Sequence, residues 1–355
     1  MRIFTMKVKK MLVLSALIAG FTSTYAAAEY KFTVPIVTNT DSYNYQSLLV
    51  FKNIAESHSN GEITVDIYPS GQLCGNAKEC LAGVQAGMFD YFQTTIPELA
   101  YYWKPMAGFD LPYLLPDDRT AECVYDDKDF LSGVRTNVLK TTNNLRLMMV
   151  SNSGGWRNIA TTKKPVHAPT DVKGLKLRTV PAQIQQELVK ALGGAPTPIA
   201  WPEVYTALST GMVDGTKNGI VDIVQMKFHE SLKHITLDGH AYMGGAWVMN
   251  NDKFNSLPDH LKKVVIDAVV AQNQYLRAYP KWKEFDAYEE FKKAGGTIYS
   301  PNAQEKETFK NASKVVIDNY VANADDESKD WLNKFESQIK ACEAKIEQED
   351  KAALQ

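Results

Sequence analysis

The guanidinium of arginine offers five N–H donors in a planar fork that a carboxylate can meet with two parallel hydrogen bonds, a match lysine cannot reproduce. Arg178 closes the run Asp171-Val172-Lys173-Gly174-Leu175-Lys176-Leu177-Arg178. Its place near a strand end makes it a candidate clamp for an anionic ligand, the alternative being a solvated surface arginine. Trp201-Pro202-Glu203 opens a helix with proline at the first helical position, and Trp201 there either stacks on a ligand or fills core. Asn218, just past the turn Asp214-Gly215, carries both a donor and an acceptor. Arg157 follows Gly154-Gly155-Trp156 and is expected at the mouth of a cleft. Two arginines suit a dicarboxylate, whereas Trp156, Trp201 and nearby tyrosines suit an aromatic acid. In the first half of the chain, Asn39, Tyr43, Gln93 and Thr95 fall at strand ends or loops, as cleft contacts or as scaffold. Tyr101-Tyr102-Trp103 reads as cleft lining or as buried core.

Catalytic patterns are not found. His229 and His234 flank Glu230 in a way that resembles a zinc-protease helix, but histidines five apart diverge around a helix instead of sharing a face. The chain has neither a G-x-S-x-G elbow nor a phosphate-cradling loop. No enzyme activity and no cofactor are expected.

Period-two alternation of Phe32, Val34 and Ile36 predicts a strand, followed by a turn over residues 38–42 and a helix over 43–58 with Leu48, Phe51 and Ala55 inward. Alternation resumes at Ile63, Val65 and Ile67, then come a helix near 76–86 and a short strand near 90–94. This βαβαβ order predicts a parallel sheet, whose ligand sites lie beyond the carboxyl ends of the strands. After Gly154-Gly155 the pattern restarts, with Leu175, Leu177 and Thr179 facing one way and Lys176 and Arg178 the other, then a helix over about 182–192. Two α/β units joined near Gly154 imply a cleft between lobes, and residues 246–250 read as a strand returning across the hinge. A long helix over 258–293, mildly interrupted at Pro280, is expected to brace both lobes. Over residues 330–348, Leu332, Phe335, Ile339, Cys342 and Ile346 recur at spacings of three and four. So short a stripe predicts an amphipathic helix docked on the body and not a coiled coil.

Arg2, Lys7, Lys9 and Lys10 precede an apolar run from Met11 to Phe21 and then Ala26-Ala27-Ala28, the plan of a cleaved secretory signal over residues 1–28. The run is shorter than a membrane span requires. What remains is longer than one hydrophobic core usually organises, so two lobes are expected. A net charge of −2 gives no basic face for nucleic acid. Cys74, Cys80, Cys123 and Cys342 all follow the signal, where disulfides persist. A local Cys74–Cys80 bridge is favoured over metal binding, because the spacing has no second half at zinc-site distance. Cys342 is left as a core thiol or as half of a bridge to Cys123. A monomer is assumed.

The stretch 171–218 contains Lys-Leu-Arg at 176–178, Leu-Gly-Gly-Ala-Pro-Thr-Pro at 192–198 and Glu-Val-Tyr-Thr-Ala-Leu-Ser-Thr-Gly-Met-Val-Asp-Gly at 203–215. It resembles the signature of TRAP transporter substrate-binding proteins of the dicarboxylate-binding type. The similarity extends through residues 69–73 and 109–113 and down to Leu257-Pro258, nearly the whole exported chain. It implies a two-lobed periplasmic binding protein fold, type II-like, each lobe a mixed sheet flanked by helices with a long helix spanning both. By that resemblance the first lobe is 29–153 plus about 240–280, and the second 154–239 plus about 281–355. It further implies a periplasmic protein that closes on a small organic acid and delivers it to integral membrane permease subunits. Arg178 would then hold the carboxylate, Asn218 add a hydrogen bond, Arg157 a second cationic contact and Trp201 an aromatic wall. Thr216-Lys217, where such proteins usually read Gln-Glu, and the inserted Cys74 depart from the pattern, which bears on the acid carried and leaves the clamp intact.

Overall fold

The computed structural model describes residues 29–355; the expected signal segment lies outside them. In chain order the elements are β1 (Tyr30–Pro35), α1 (Tyr43–His58), β2 (Ile63–Tyr68), α2 (Ala77–Gln85), β3 (Tyr91–Thr95), α3 (Ile96–Leu99), α4 (Asp118–Asp126), α5 (Lys128–Thr142) and β4 (Leu145–Thr161). Next come β5 (Lys176–Thr179), α6 (Gln183–Ala191), β6 (Ala195–Pro198), α7 (Val204–Ser209), β7 (Gly215–Asn218), α8 (Ile220–Gln225) and β8 (His234–Asn250). The chain finishes with α9 (Asn251–Ser256), α10 (Asp259–Lys293), β9 (Thr297–Tyr299), α11 (Ala303–Asn323) and α12 (Asp326–Ala353).

Two 17-residue strands, β4 and β8, pair antiparallel and run through both lobes. At one end β3 joins β8 antiparallel. At the other end β9 joins β8, while β7, β5 and β6 extend the sheet from β4. The register slips at the crossing, where four steps along β4, from Asn152 to Trp156, oppose two along β8, from Gly244 to Tyr242. Such an irregularity bends a strand pair locally. Gly154 sits inside it at φ +121, a conformation that side-chain-bearing residues rarely adopt, and a Cβ there would lie 2.8 Å from Asp222 Oδ2. The carbonyl of Gly154 lies so near Gly219 that a Cβ on Gly219 would meet it at 1.8 Å. Close backbone approach thus requires both glycines.

The expected parallel sheet in the first lobe is only partly formed. β1 and β2 pair parallel as a separate two-stranded sheet. β3 is drawn instead into the antiparallel ladder of β8, because β8 is long enough to offer it a complete edge. Asp90 links the two sheets by accepting from the Thr33 amide.

α10 is continuous through Pro280 and ties to both lobes. Gln272 accepts from Tyr91 Oη and donates to Ser47, and Arg277 donates to Tyr242, to Asp126 and to the carbonyl of Val150. Further along, the Tyr279 hydroxyl accepts from Gln225 of α8. The terminal helix α12 is amphipathic and docked, with Trp331, Leu332, Phe335, Ile339 and Cys342 buried. It departs from the expected placement of 281–355 on the second lobe. Its aromatic face fills the first-lobe cluster against Trp103, Phe109 and Phe130, and a Cys123–Cys342 disulfide fastens it there, beside the second bridge, Cys74–Cys80. α11 stays with the second lobe, packing Phe309 and Val316 near Leu188 of α6.

Candidate functional site

A cavity of about 450 Å³ lies between the lobes. The first lobe contributes Thr38, Asn44, Gln93, Thr94, Thr95, Glu98 and the rim residues 76–78. Arg157, Arg178, Trp201, Asn218 and Asp222 come from the second lobe, and Ser153 and Met243 from the crossing strands.

Arg178 ends β5, and alternation along that strand sends Leu177 into the core and the guanidinium to the opposite face. Although 1 % exposed, it has no carboxylate at its head. Nε and Nη2 both donate to the Ile199 carbonyl, at 3.0 and 2.8 Å, which leaves Nη1 without an acceptor among the described residues. Burial is the largest influence on this group and pushes its pKa down to about 9, with Arg157 acting in the same direction and Glu98 and Asp222 opposing. Arg157 is also buried. It donates through Nη1 to the Lys217 carbonyl at 3.2 Å, and its Nε has no partner among the described residues. It therefore sits at the floor of the cleft and not at the mouth where the sequence suggested it.

Trp201 presents its ring to Arg178, 5.5 Å from the guanidinium carbon to the ring centroid, while its edge packs on Phe228. Trp201 is thus cavity wall and core filler together, and its Nε1 has no acceptor among the described residues. Asn218 ends β7; its amide donates to Asp222 Oδ2 at 3.3 Å and its oxygen accepts from Thr216. Asp222 also accepts from Tyr43 Oη at 3.0 Å. Burial raises its pKa to about 6 against the opposing pull of Tyr43, Asn218 and the two arginines.

Among the first-lobe candidates, Gln93 and Thr95 line the cavity. Two others do not. Asn39 accepts from the Ser42 amide in the turn before α1, a role typical of asparagine in turns. Tyr43 is buried behind the wall, where it fixes Asp222. Trp156 is likewise displaced from the site. It neighbours Arg157 on β4, so the strand's alternation points it to the other face, where it donates to Asp118 and packs edge-on against Tyr242. Tyr101 and Tyr102 line the cavity, while Trp103 is core. Tyr101 Oη donates to the Pro181 carbonyl at 2.6 Å, a direct bond from lobe to lobe.

Glu98, Asp222, Asn44 and Ser153 line the cavity and were not singled out from the sequence. Behind the wall lies a further buried polar group. Lys217 Nζ donates to the carbonyl and to Oε1 of Gln185 at 2.9 and 2.7 Å, and Gln185 donates in turn to Asp110. Burial, reinforced by Arg157, brings the Lys217 pKa down to about 7. His229 lies within a short helical turn, 228–230, and His234 starts β8, so no helix presents them together.

A two-lobed body with unpaired arginines buried in the cleft between its halves is the architecture of a solute-binding protein. The sequence profile of bacterial extracellular solute-binding protein family 7, DctP, matches residues 36–324, and the chain belongs to this family, the solute-binding proteins of TRAP transporters. It is 28% identical over 320 residues to the C4-dicarboxylate-binding periplasmic protein DctP of Rhodobacter capsulatus, covering 86% of this chain and 92% of that one. Identity to the ectoine-binding periplasmic protein TeaA of Halomonas elongata is 26% over 300 residues, 84% and 86% of the two chains. A TRAP periplasmic solute-binding protein of a Polaromonas species, solved bound to D-erythronate, superposes with a TM-score of 0.79 at 25% identity, over 87% of this chain and 98% of that one.

Proposed function

We propose that this protein captures a small organic acid in the interlobe cleft, closes on it by bending at the β4–β8 crossing, and delivers it to membrane permease subunits. The observation that carries the reading is the pair Arg157 and Arg178. Among the described residues their hydrogen-bond partners are backbone carbonyls. Burying a cation without an anion is costly unless a charged partner is supplied, and a ligand carboxylate is that partner. In this reading Arg178 Nη1 and the second N–H of Nη2 take the carboxylate, Arg157 adds a second cationic contact, Trp201 walls the ligand, and Asn218, Gln93 and Thr95 border it. The C4-dicarboxylates, ectoine and D-erythronate named for the relatives all carry a carboxylate. Only contacts present in the closed form and absent from the open one can drive closure. A ligand bridging Arg178 on one lobe and the Gln93–Thr95 edge on the other meets that condition, and expulsion of water strengthens the ion pair as the lobes meet. Export through a cleaved segment over residues 1–28 would place the protein outside the cytoplasmic membrane, as the family description has it.

Thermal melts against a panel of organic acids test the proposal. An acid present at a hundredfold its Kd stabilises by about 2.7 kcal/mol, and that gain should vanish in Arg178→Ala. A panel in which no carboxylate shifts the melt, or in which Arg178→Ala keeps the shift, refutes it.

A further inference from the structure

Resting on the carboxylate reading, we infer that the bound acid is a monocarboxylate whose far end donates hydrogen bonds, through a hydroxyl or a cationic nitrogen, and that Glu98 selects it. Counting charge inside the cleft is the first support. Glu98 and Asp222 line the cleft with Arg157 and Arg178 and act on the Arg178 charge without pairing directly with it, so the wall that receives a ligand already carries two carboxylates. The rim adds one charge of each sign, Lys78 and Glu203. A dianion would bring one charge to the arginines and set its second against a wall already supplied with carboxylates.

Hydrogen-bond capacity gives the second support. On Glu98 the Oε2 atom is saturated by the Thr95 amide and the hydroxyls of Thr94 and Thr95. These fix the carboxylate and leave Oε1 without a donor among the described residues. Asn44, 5 % exposed, also lines the cavity, and its Oδ1 has no partner among the described residues. Tyr43, its neighbour in sequence, is turned away to donate to Asp222. The first-lobe wall therefore offers acceptors where the second-lobe wall offers donors. A second carboxylate leaves such acceptors unmet, whereas a hydroxyl or ammonium satisfies them. Sites built to hydrogen-bond a substrate group discriminate strongly against ligands lacking it.

Calorimetry on the full exported chain with acids matched in length provides the test, using butyrate, succinate, 4-hydroxybutyrate and 4-aminobutyrate, and the six-carbon set hexanoate, adipate, 6-hydroxyhexanoate and 6-aminohexanoate. In at least one set a hydroxy or amino acid should bind tenfold or more tightly than the diacid. Glu98→Gln keeps an oxygen for the Thr94–Thr95 cap, so its unliganded melt should match the parent. It should lose at least tenfold for the amino acid and bind the diacid as well or better. The inference is overturned if the diacid is tightest in both sets, or if Glu98→Gln weakens diacid and amino acid equally. If none of the eight acids binds, the carboxylate reading itself falls and this inference with it, a result distinct from a reversed ranking.

Discussion

Replacing Arg178 with lysine keeps the charge and removes the fork, and the structure sets the size of the loss. In the parent, two N–H groups hold the Ile199 carbonyl while the rest of the guanidinium stays free for ligand. A lysine has one nitrogen for both tasks. If Nζ turns to the ligand, the buried Ile199 carbonyl loses its donors, at about 1 kcal/mol or more, and one of two charge-assisted bonds to the carboxylate is lost, at about 1.5 to 3 kcal/mol. Together these come to roughly 2.5 to 4 kcal/mol, or about 60- to 700-fold in Kd. Titration calorimetry with the tightest acid from the panel measures it. Denaturant melts of the unliganded proteins separate a binding loss from a folding loss. Arg178→Lys within threefold of the parent affinity would show that this guanidinium does not hold the carboxylate.

Lys217 gives a pH dependence of stability. Its folded pKa, about 7 against 10.5 for an ordinary lysine, means that the unfolded chain binds more protons between those values, so stability should rise with pH across that window. Below pH 7 the full cost of burying the charge is present, about 5 kcal/mol by the free-energy equivalent of the pKa difference. The stability difference between the parent and Lys217→Met should therefore change between pH 7 and 10, and a pH-independent difference in denaturant melts contradicts the assignment. Tyr101→Phe removes the interlobe bond to Pro181, at about 1 kcal/mol, and ligand release in stopped flow should quicken about fivefold; an unchanged rate shows that this bond does not secure the closed form. Serine replacement of Cys123 and Cys342, 219 residues apart, should destabilise by about 5 kcal/mol on the loop-entropy estimate, against about 2 for the six-residue separation of Cys74 and Cys80. Equal losses in chemical denaturation would rule out loop length as the cause.

Local periodicity carried much of the fold. The alternation of β1, β2 and β5 and the helices α1, α6 and α10 are set by neighbours in sequence, and each appears within a residue or two of its expected bounds. Arg178, Trp201 and Asn218 were legible as cavity-lining residues for a similar reason, since all three fall in one continuous stretch, 171–218, which Arg157 and Asp222 join from outside it. The first-lobe wall draws on separate segments. Glu98 was not legible because its cap with Thr94 and Thr95 looks like any helix start, and only the opposing arginines reveal its other oxygen as available. Asp222 and Tyr43 meet across 179 residues. For Trp156 the signal was present, because the period of two that turns Arg157 inward turns its neighbour out. The docking of α12 could not be read from its stripe, since an apolar face states that it is covered but not by which lobe.

The bridge between α4 and α12 makes the front of the molecule depend on its tail. In the proposed export route bridges close only outside the cytoplasm, where Cys123 must find a partner 219 residues further along the chain. Until it does, the aromatic pocket awaiting Trp331 and Phe335 stays open and one thiol is unspoken for, whereas the small 74–80 ring needs nothing downstream of itself. Closing the two bridges therefore makes unequal demands, one on a neighbouring loop and the other on the arrival of the last helix.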